Sequence, residues 1–231
     1  MTAFLFVYPL FRMLSLLSIN NRDQLQYLLN FIIGYFVGSI PTAYLLVRWK
    51  SRIDIRHAGS GNVGAMNTFE VSGSTALGVA VLVIDLLKGV LSVLLNALFF
   101  GNEFWAMGMG GLGAIAGHNY SVWLKFKGGR GLATALGVIL SLGWIFVVMW
   151  CVPWVVIYLI SKDIHLSNIT ASIVGPVILV AIPDRLWKMT LPLFSDSINF
   201  QYLIIFICLL LVVRHHDYIV TLRDSFTNIS S

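Results

Sequence analysis

The chain has 231 residues, 58% hydrophobic and only 11% charged, with a mean hydropathy of +0.86 and a formal net charge of +5. Soluble domains carry about a quarter charged residues, so this chain cannot cover a water-facing surface, and an all-α polytopic membrane protein is expected. The same figures exclude a disordered chain and a disulfide-built module, and the 15 Lys and Arg, scattered among apolar runs, do not form a nucleic-acid-binding patch.

Residues 1–27 read as an N-terminal extension or surface helix. The run MTAFLFVYPLFRMLSLLSIN lacks a basic leader and a small-residue cleavage site, and Arg12 interrupts it, so a cleaved signal peptide is not expected. A membrane domain over 28–213 follows. Its first span, 28–47, carries no charge, and the run from Ser74 to Gly101 is also long enough to cross, with Asp85 and Lys88 near its middle. Residues 105–120 hold Gly113 and Gly117 in a small-xxx-small pattern, which predicts a helix inside the bundle. Residues 131–161 are uncharged but too long for one untilted crossing. Leu142-Gly143-Trp144 offers a bend, so two arms are predicted, 132–142 and 144–160. Apolar segments at 168–183 and 199–213 bring the total to about seven transmembrane helices, and 214–231 reads as a cytoplasmic tail. Cys151 and Cys208 lie inside apolar runs and read as small hydrophobes.

With the first span running from outside to inside, ten of the 15 basic residues fall on the inner side and four on the outer. This bias predicts an outside N-terminus and a cytoplasmic C-terminus. Two inner loops stand out. DIRHAGSGNVGAMN, residues 54–67, spaces Gly59, Gly61 and Gly64 as G-x-G-x-x-G, but it follows a membrane span rather than a strand, so a dinucleotide fold is not indicated. Its glycines could let backbone amides converge on an anion, helped by Ser60, Asn62, Asn67 and Arg56; a plain turn is the alternative. GHNYSVWLKFKGGRG, residues 117–131, sets Arg130 among Gly128, Gly129 and Gly131 beside Lys125 and Lys127. It reads as a second anion cradle or as a positive-inside anchor.

Asp85 and Lys88 share a helix face, and ionisable groups within a span point to function or to helix pinning. His118, His215 and His216 lie near inner helix ends, where imidazole can move a proton or donate to phosphate. No pattern indicates a metal, a cofactor or nucleotide hydrolysis. A small-anion transporter fits Asp85 and Lys88, though no inverted repeat is found.

Together, GSIP at 38–41, the 54–67 loop, IDLLKG at 84–89, GHNYSVWLKFKGGRGLATALG at 117–137 and VVRHHDYI at 212–219 resemble the acyl-phosphate:glycerol-3-phosphate acyltransferase family of the PlsY type. The resemblance implies a multi-pass protein of the bacterial inner membrane with its site facing the cytoplasm. It also implies acyl phosphate and glycerol 3-phosphate as substrates within membrane lipid, with no obligate protein partner. By resemblance, Ser60, Asn62, Arg130 and His215 would be catalytic. Arg56, Gly59, Gly61, Gly64, Asn67, Lys88, His118, Lys127, Gly128, Gly129 and Arg214 would bind substrate. The chain has Met66 and Glu70 where the family usually has threonine and arginine, Ser121 for a proline, Arg130 for a lysine, and His216 and Tyr218 for arginine and asparagine. A typically serine-rich pair appears as His165-Leu166-Ser167-Asn168. Such changes imply a divergent member, with Glu70 opposing a phosphate and an altered acceptor as one outcome.

Overall fold

The computed structural model describes residues 21–183 and 197–220, apart from Asp217. Of the expected 1–27 extension, residues 1–20 lie outside the described residues, as does most of the 214–231 tail. Those described fold into α1 (Asn21–Ser39), α2 (Thr42–Ser51), α3 (Ala65–Ser72), α4 (Thr75–Phe100), α5 (Phe104–Asn119), α6 (Leu132–Gly143), α7 (Ile145–Ser161), α8 (Ile164–Ala181) and α9 (Ser197–Val213), with short 3-10 turns at Ile55–His57 and Val122–Leu124. Three helical stretches are long and apolar enough to cross a membrane: 22–51 taken through its break, 75–100 and 164–181. The apolar helices 132–143, 145–161 and 198–213 are shorter.

Most predicted boundaries move by a few residues for identifiable reasons. The first helix is described from Asn21, ahead of the predicted residue 28, and carries Asp23 near that end. The predicted 28–47 span is interrupted at Ile40-Pro41, because proline brings no amide to the ladder and its ring displaces the preceding turn. The helix predicted from Asn168 starts at Ile164, since the Asp163 carboxylate accepts from the His165 and Leu166 amides and caps it. The bend at Gly143-Trp144 occurs as expected.

The chain divides into two compact units, residues 1–138 and 139–231. In the first, α5 is its centre, and every residue from Trp105 to Asn119 is buried. Glycine makes this possible. A methyl group at Gly113 would stand 2.1 Å from the Phe31 carbonyl oxygen, one at Gly117 2.1 Å from that of Tyr35, and one at Gly34 1.9 Å from that of Gly110. Backbone therefore lies on backbone between α1 and α5, as the small-xxx-small spacing predicts. Helix α4 is turned inside out relative to a soluble helix. Asp85, Lys88, Ser92 and Asn96 are buried, while Leu82, Val83, Leu87, Leu91, Leu94 and Leu98 are exposed. Only a solvent as apolar as leucine makes that distribution stable.

In the second unit α8 packs between α7 and α9. Two tryptophans of α7 reach polar partners on α8: Trp150 Nε1 donates to Ser172 Oγ at 3.2 Å and Trp154 Nε1 to Asn168 Oδ1 at 2.7 Å. Gly175 leaves room for the Phe146 ring, which a methyl group there would meet at 3.1 Å.

Replacing Gly113 by valine should push α1 from α5 and cost about 1–3 kcal/mol. Thermal unfolding in detergent checks this: the melting temperature falls for Gly113→Val and stays unchanged for Leu98→Val, whose side chain is exposed.

Candidate active site

The site is built around the break in the first helix. Interrupting a helix at Pro41 releases carbonyl groups that have no helical partner, and inside a membrane these must be satisfied by the protein. Lys88 Nζ donates to Ile40 O at 2.7 Å and, more distantly, to Gly38 O at 3.5 Å. Ser121 Oγ donates to the intervening Ser39 O at 2.5 Å. The Ser39 hydroxyl turns back onto Phe36 O at 3.0 Å and accepts from Trp123 Nε1 at 3.0 Å. The ammonium group is neutralised by Asp85, 2.7 Å away, whose carboxylate also lies 3.8 Å from His118 Nδ1. All three ionisable side chains are buried.

A narrow cleft opens beside this clamp. It is lined by Ser39, Pro41 and Thr42 at the break, by Asp85, Lys88 and His118, and by Val63 of the first loop with Gly128 and Gly129 of the second. The two loops meet there. A methyl group on Gly129 would stand 2.1 Å from His118 Nε2 and 2.8 Å from Val63 O, so this position takes only glycine. Beneath the loops, Ala43, Val47, Ile55, Val63, Val81 and Leu124 form a shared apolar plug that fixes α2, α4 and both loops to one another.

The first loop is organised from within. Asn67 is buried, and its Nδ2 donates to Asn62 O at 2.9 Å, Ala58 O at 3.1 Å and Ile55 O at 3.3 Å, while its Oδ1 accepts from the Ser60 amide at 3.0 Å. The Gly61 amide closes onto Ala58 O at 3.1 Å. Gly59 and Gly61 have φ of +56° and +70°, the left-handed region that lets the loop wrap around the Asn67 amide. Arg56 grips Asp54 through a two-pronged contact, Nε to Oδ1 at 2.9 Å and Nη2 to Oδ2 at 2.6 Å, and lies 4.9 Å over the Tyr44 ring. The bond from Arg56 holds the Asp54 carboxyl well below the usual carboxylate range.

The second loop closes on the end of α5. The Gly128 amide donates to Asn119 O at 3.1 Å and the Gly129 amide to His118 O at 3.0 Å. The amides of Ser60, Gly61, Gly128 and Gly129 have backbone or side-chain partners within the protein. Asn67 and Lys88 are likewise committed, to loop carbonyls and to the helix break, because a buried donor must find a partner before any ligand arrives. Among the predicted site residues, Ser60 and Lys127 are exposed and Asn62 and Arg130 half-buried. Gly64 precedes α3 with extended backbone.

Comparison with known proteins accounts for this arrangement. The glycerol-3-phosphate acyltransferase family matches residues 28–225. The chain belongs to this family. A relative named glycerol-3-phosphate acyltransferase 2, from Moorella thermoacetica, is 41% identical over 160 residues, covering 67% of this chain and 78% of its own. One from Rhodopseudomonas palustris is 40% identical over 153 residues, covering 66% and 76%. The crystal structure of PlsY, an integral membrane glycerol 3-phosphate acyltransferase, in its glycerol 3-phosphate form superposes with a TM-score of 0.71 at 32% identity, covering 86% of this chain and 92% of that one. Its lysophosphatidic acid form gives 0.69 at 30% identity, with the same coverage.

The remaining family motif lies in the second unit. Arg214 is half-buried, and His215 is buried with its Nδ1 2.7 Å from Leu211 O. A carbonyl oxygen only accepts, so Nδ1 carries a proton and donates to it. Sequence reasoning missed the tie of the Ser121 hydroxyl to the Ser39 carbonyl and the part played by Asp54 and Asp163. For Ser121 a signal was present, since a hydroxyl stands where this family usually places proline.

Two substitutions separate clamp from ligand. Lys88→Met strands the Asp85 charge and should cost about 3–5 kcal/mol, and adding Asp85→Asn should recover part of that loss. Asn67→Ala should collapse the first loop, detected as faster proteolysis between residues 55 and 67 in detergent, with the other helices intact.

Proposed function

We propose that this acyltransferase moves a fatty acyl group from acyl phosphate to the sn-1 hydroxyl of glycerol 3-phosphate, giving 1-acyl-glycerol 3-phosphate and inorganic phosphate. The observation that carries the proposal is the likeness, over 86% of the chain, to a protein solved in both a glycerol 3-phosphate form and a lysophosphatidic acid form. The hydroxyl oxygen attacks the acyl carbon, the bond from that carbon to the phosphate oxygen breaks, and phosphate departs with the electron pair. Acyl phosphate is already activated, so positioning and anion stabilisation are the main requirements and no covalent enzyme intermediate is needed.

Side chains of the two loops take the phosphate groups: Ser60 and Asn62 in the first loop, and Arg130 and Lys127 in the second. Arg130 keeps the positive charge of the family's lysine and adds a planar fork that matches phosphate oxygens. His118 borders the cleft with Lys88. Asn67, Lys88 and the Arg56–Asp54 pair shape the loops. His215 is assigned to the acceptor hydroxyl, with Nε2 receiving its proton, and Arg214 beside it contributes charge. Glu70 is exposed on α3, where water and salt screen it, so its reversed sign does not displace this reading. The loops face the cytoplasm of a bacterial inner membrane in a seven-crossing topology with the N-terminus outside, in keeping with the excess of basic residues on that face.

Two measurements test the proposal. Purified protein given a long-chain acyl phosphate and glycerol 3-phosphate should release orthophosphate and lysophosphatidate; no product from well-folded protein, alongside an active family enzyme, would overturn it. His57→Cys or Lys125→Cys, in a chain lacking Cys151 and Cys208, should react with an impermeant maleimide in inverted vesicles and resist it in intact cells. Labelling from outside would overturn the topology.

A further inference from the structure

A side-chain cluster in the second unit has no part in the loops described above. Asp163 stands at the turn between α7 and α8, just after Lys162 has closed α7 in a left-handed conformation. Its Oδ1 accepts from the His165 amide at 2.7 Å and the Leu166 amide at 3.0 Å. Its own amide donates to Ser161 Oγ at 3.1 Å, and its carbonyl accepts from Ser167 Oγ at 2.6 Å. The carboxylate is therefore held in one orientation. Its second oxygen, Oδ2, accepts a hydrogen bond from the Tyr218 hydroxyl, 55 residues later in the chain.

Tyr218 lies three residues beyond His215, and the Ile219 amide donates to His215 O at 3.1 Å. Fixing the tyrosine hydroxyl therefore fixes the turn that carries the histidine. The His165 ring completes the contact, 5.0 Å from the Tyr218 ring and 6.0 Å from the His215 ring, tilted by 56° and 58°. We infer that Asp163 and Tyr218 form a positioning pair that anchors the end of α9 to the cap of α8 and so sets where the His215 imidazole points. The inference rests on the role proposed for His215, and it adds residues that the loop motifs do not contain.

The protonation chemistry agrees with a lasting tie. Burial would raise the Asp163 carboxyl, but the bonds from Tyr218 and the Leu166 and His165 amides outweigh it and hold the group below its ordinary value. Burial, the bond to Asp163 and its negative charge push the Tyr218 hydroxyl up to about 12. The pair thus keeps a charged acceptor and a protonated donor across the physiological range. With both oxygens engaged, Asp163 acts through His215 rather than on substrate.

The test is a cycle of variants in the full-length protein, read by orthophosphate release. Tyr218→Phe keeps the ring against His165 and removes only the tie; it should lower kcat about tenfold and leave the KM for glycerol 3-phosphate within about twofold. Asp163→Asn should do the same, and the double variant should be no worse than the poorer single one, because both remove one interaction. In a His215→Gln background, Tyr218→Phe should change the residual rate by less than about twofold. A purely structural contact would lower that rate again, and this outcome, or an unaltered kcat in Tyr218→Phe alone, would overturn the inference. Histidine nitrogen NMR provides an arm that does not need activity: the His215 signal should show a single tautomer, protonated at Nδ1, in the starting protein and lose that uniqueness in Tyr218→Phe. If the starting protein releases no phosphate, the proposed reaction fails while this arm still decides the positioning; an unchanged His215 spectrum would overturn the pair.

Discussion

The first unit depends on one buried cation. A helix broken at Pro41 leaves three successive carbonyls, those of Gly38, Ser39 and Ile40, without helical partners at a depth where water is scarce. Lys88 satisfies two and Ser121 the third. The ammonium is paired with Asp85, 2.7 Å away, and lies against the carbonyl oxygens that accept from it. The break is what lets the chain leave the α1 axis and begin α2 under the loops. The clamp therefore supports the cleft that it also lines.

Glycine has a parallel role at longer range. Its spacing in α5 brings α1 to backbone contact, and Gly129 allows the second loop to sit against His118 and Val63. Each of these contacts excludes even one methyl group. The loops are thereby held close to the helices they follow, with the Ser60, Gly61, Gly128 and Gly129 amides engaged within the protein.

Much of the fold was legible in the chain. Long uncharged runs mark the helices because a hydrocarbon core tolerates little else, and the bend at Gly143-Trp144 follows from length alone. The interruption at Pro41 was visible as a helix-bending tetrad, but not how the freed carbonyls would be satisfied. The candidate site was legible as a set of motifs and less so as a set of roles. Asn67 and Lys88 stand in the same loops and helix as residues that face outward, and the sequence has no local mark distinguishing them. Tyr218 was marked only as a departure from the family motif, and its tie to Asp163 was not visible because the two meet only once α8 and α9 are packed.

The sequence by itself determined the membrane class, the positions of most helices, the family and the two loops that bear its motifs. These follow from composition and from short spacings, which act locally. The tertiary structure decided which polar groups remain available. A buried donor or acceptor takes whichever partner the fold brings near, and here those partners lie far along the chain: 48 residues separate Lys88 from Ile40, 82 separate Ser121 from Ser39 and 55 separate Tyr218 from Asp163. The strong requirement that such groups be paired inside a membrane is what gives Asn67 and Lys88 their partners within the protein.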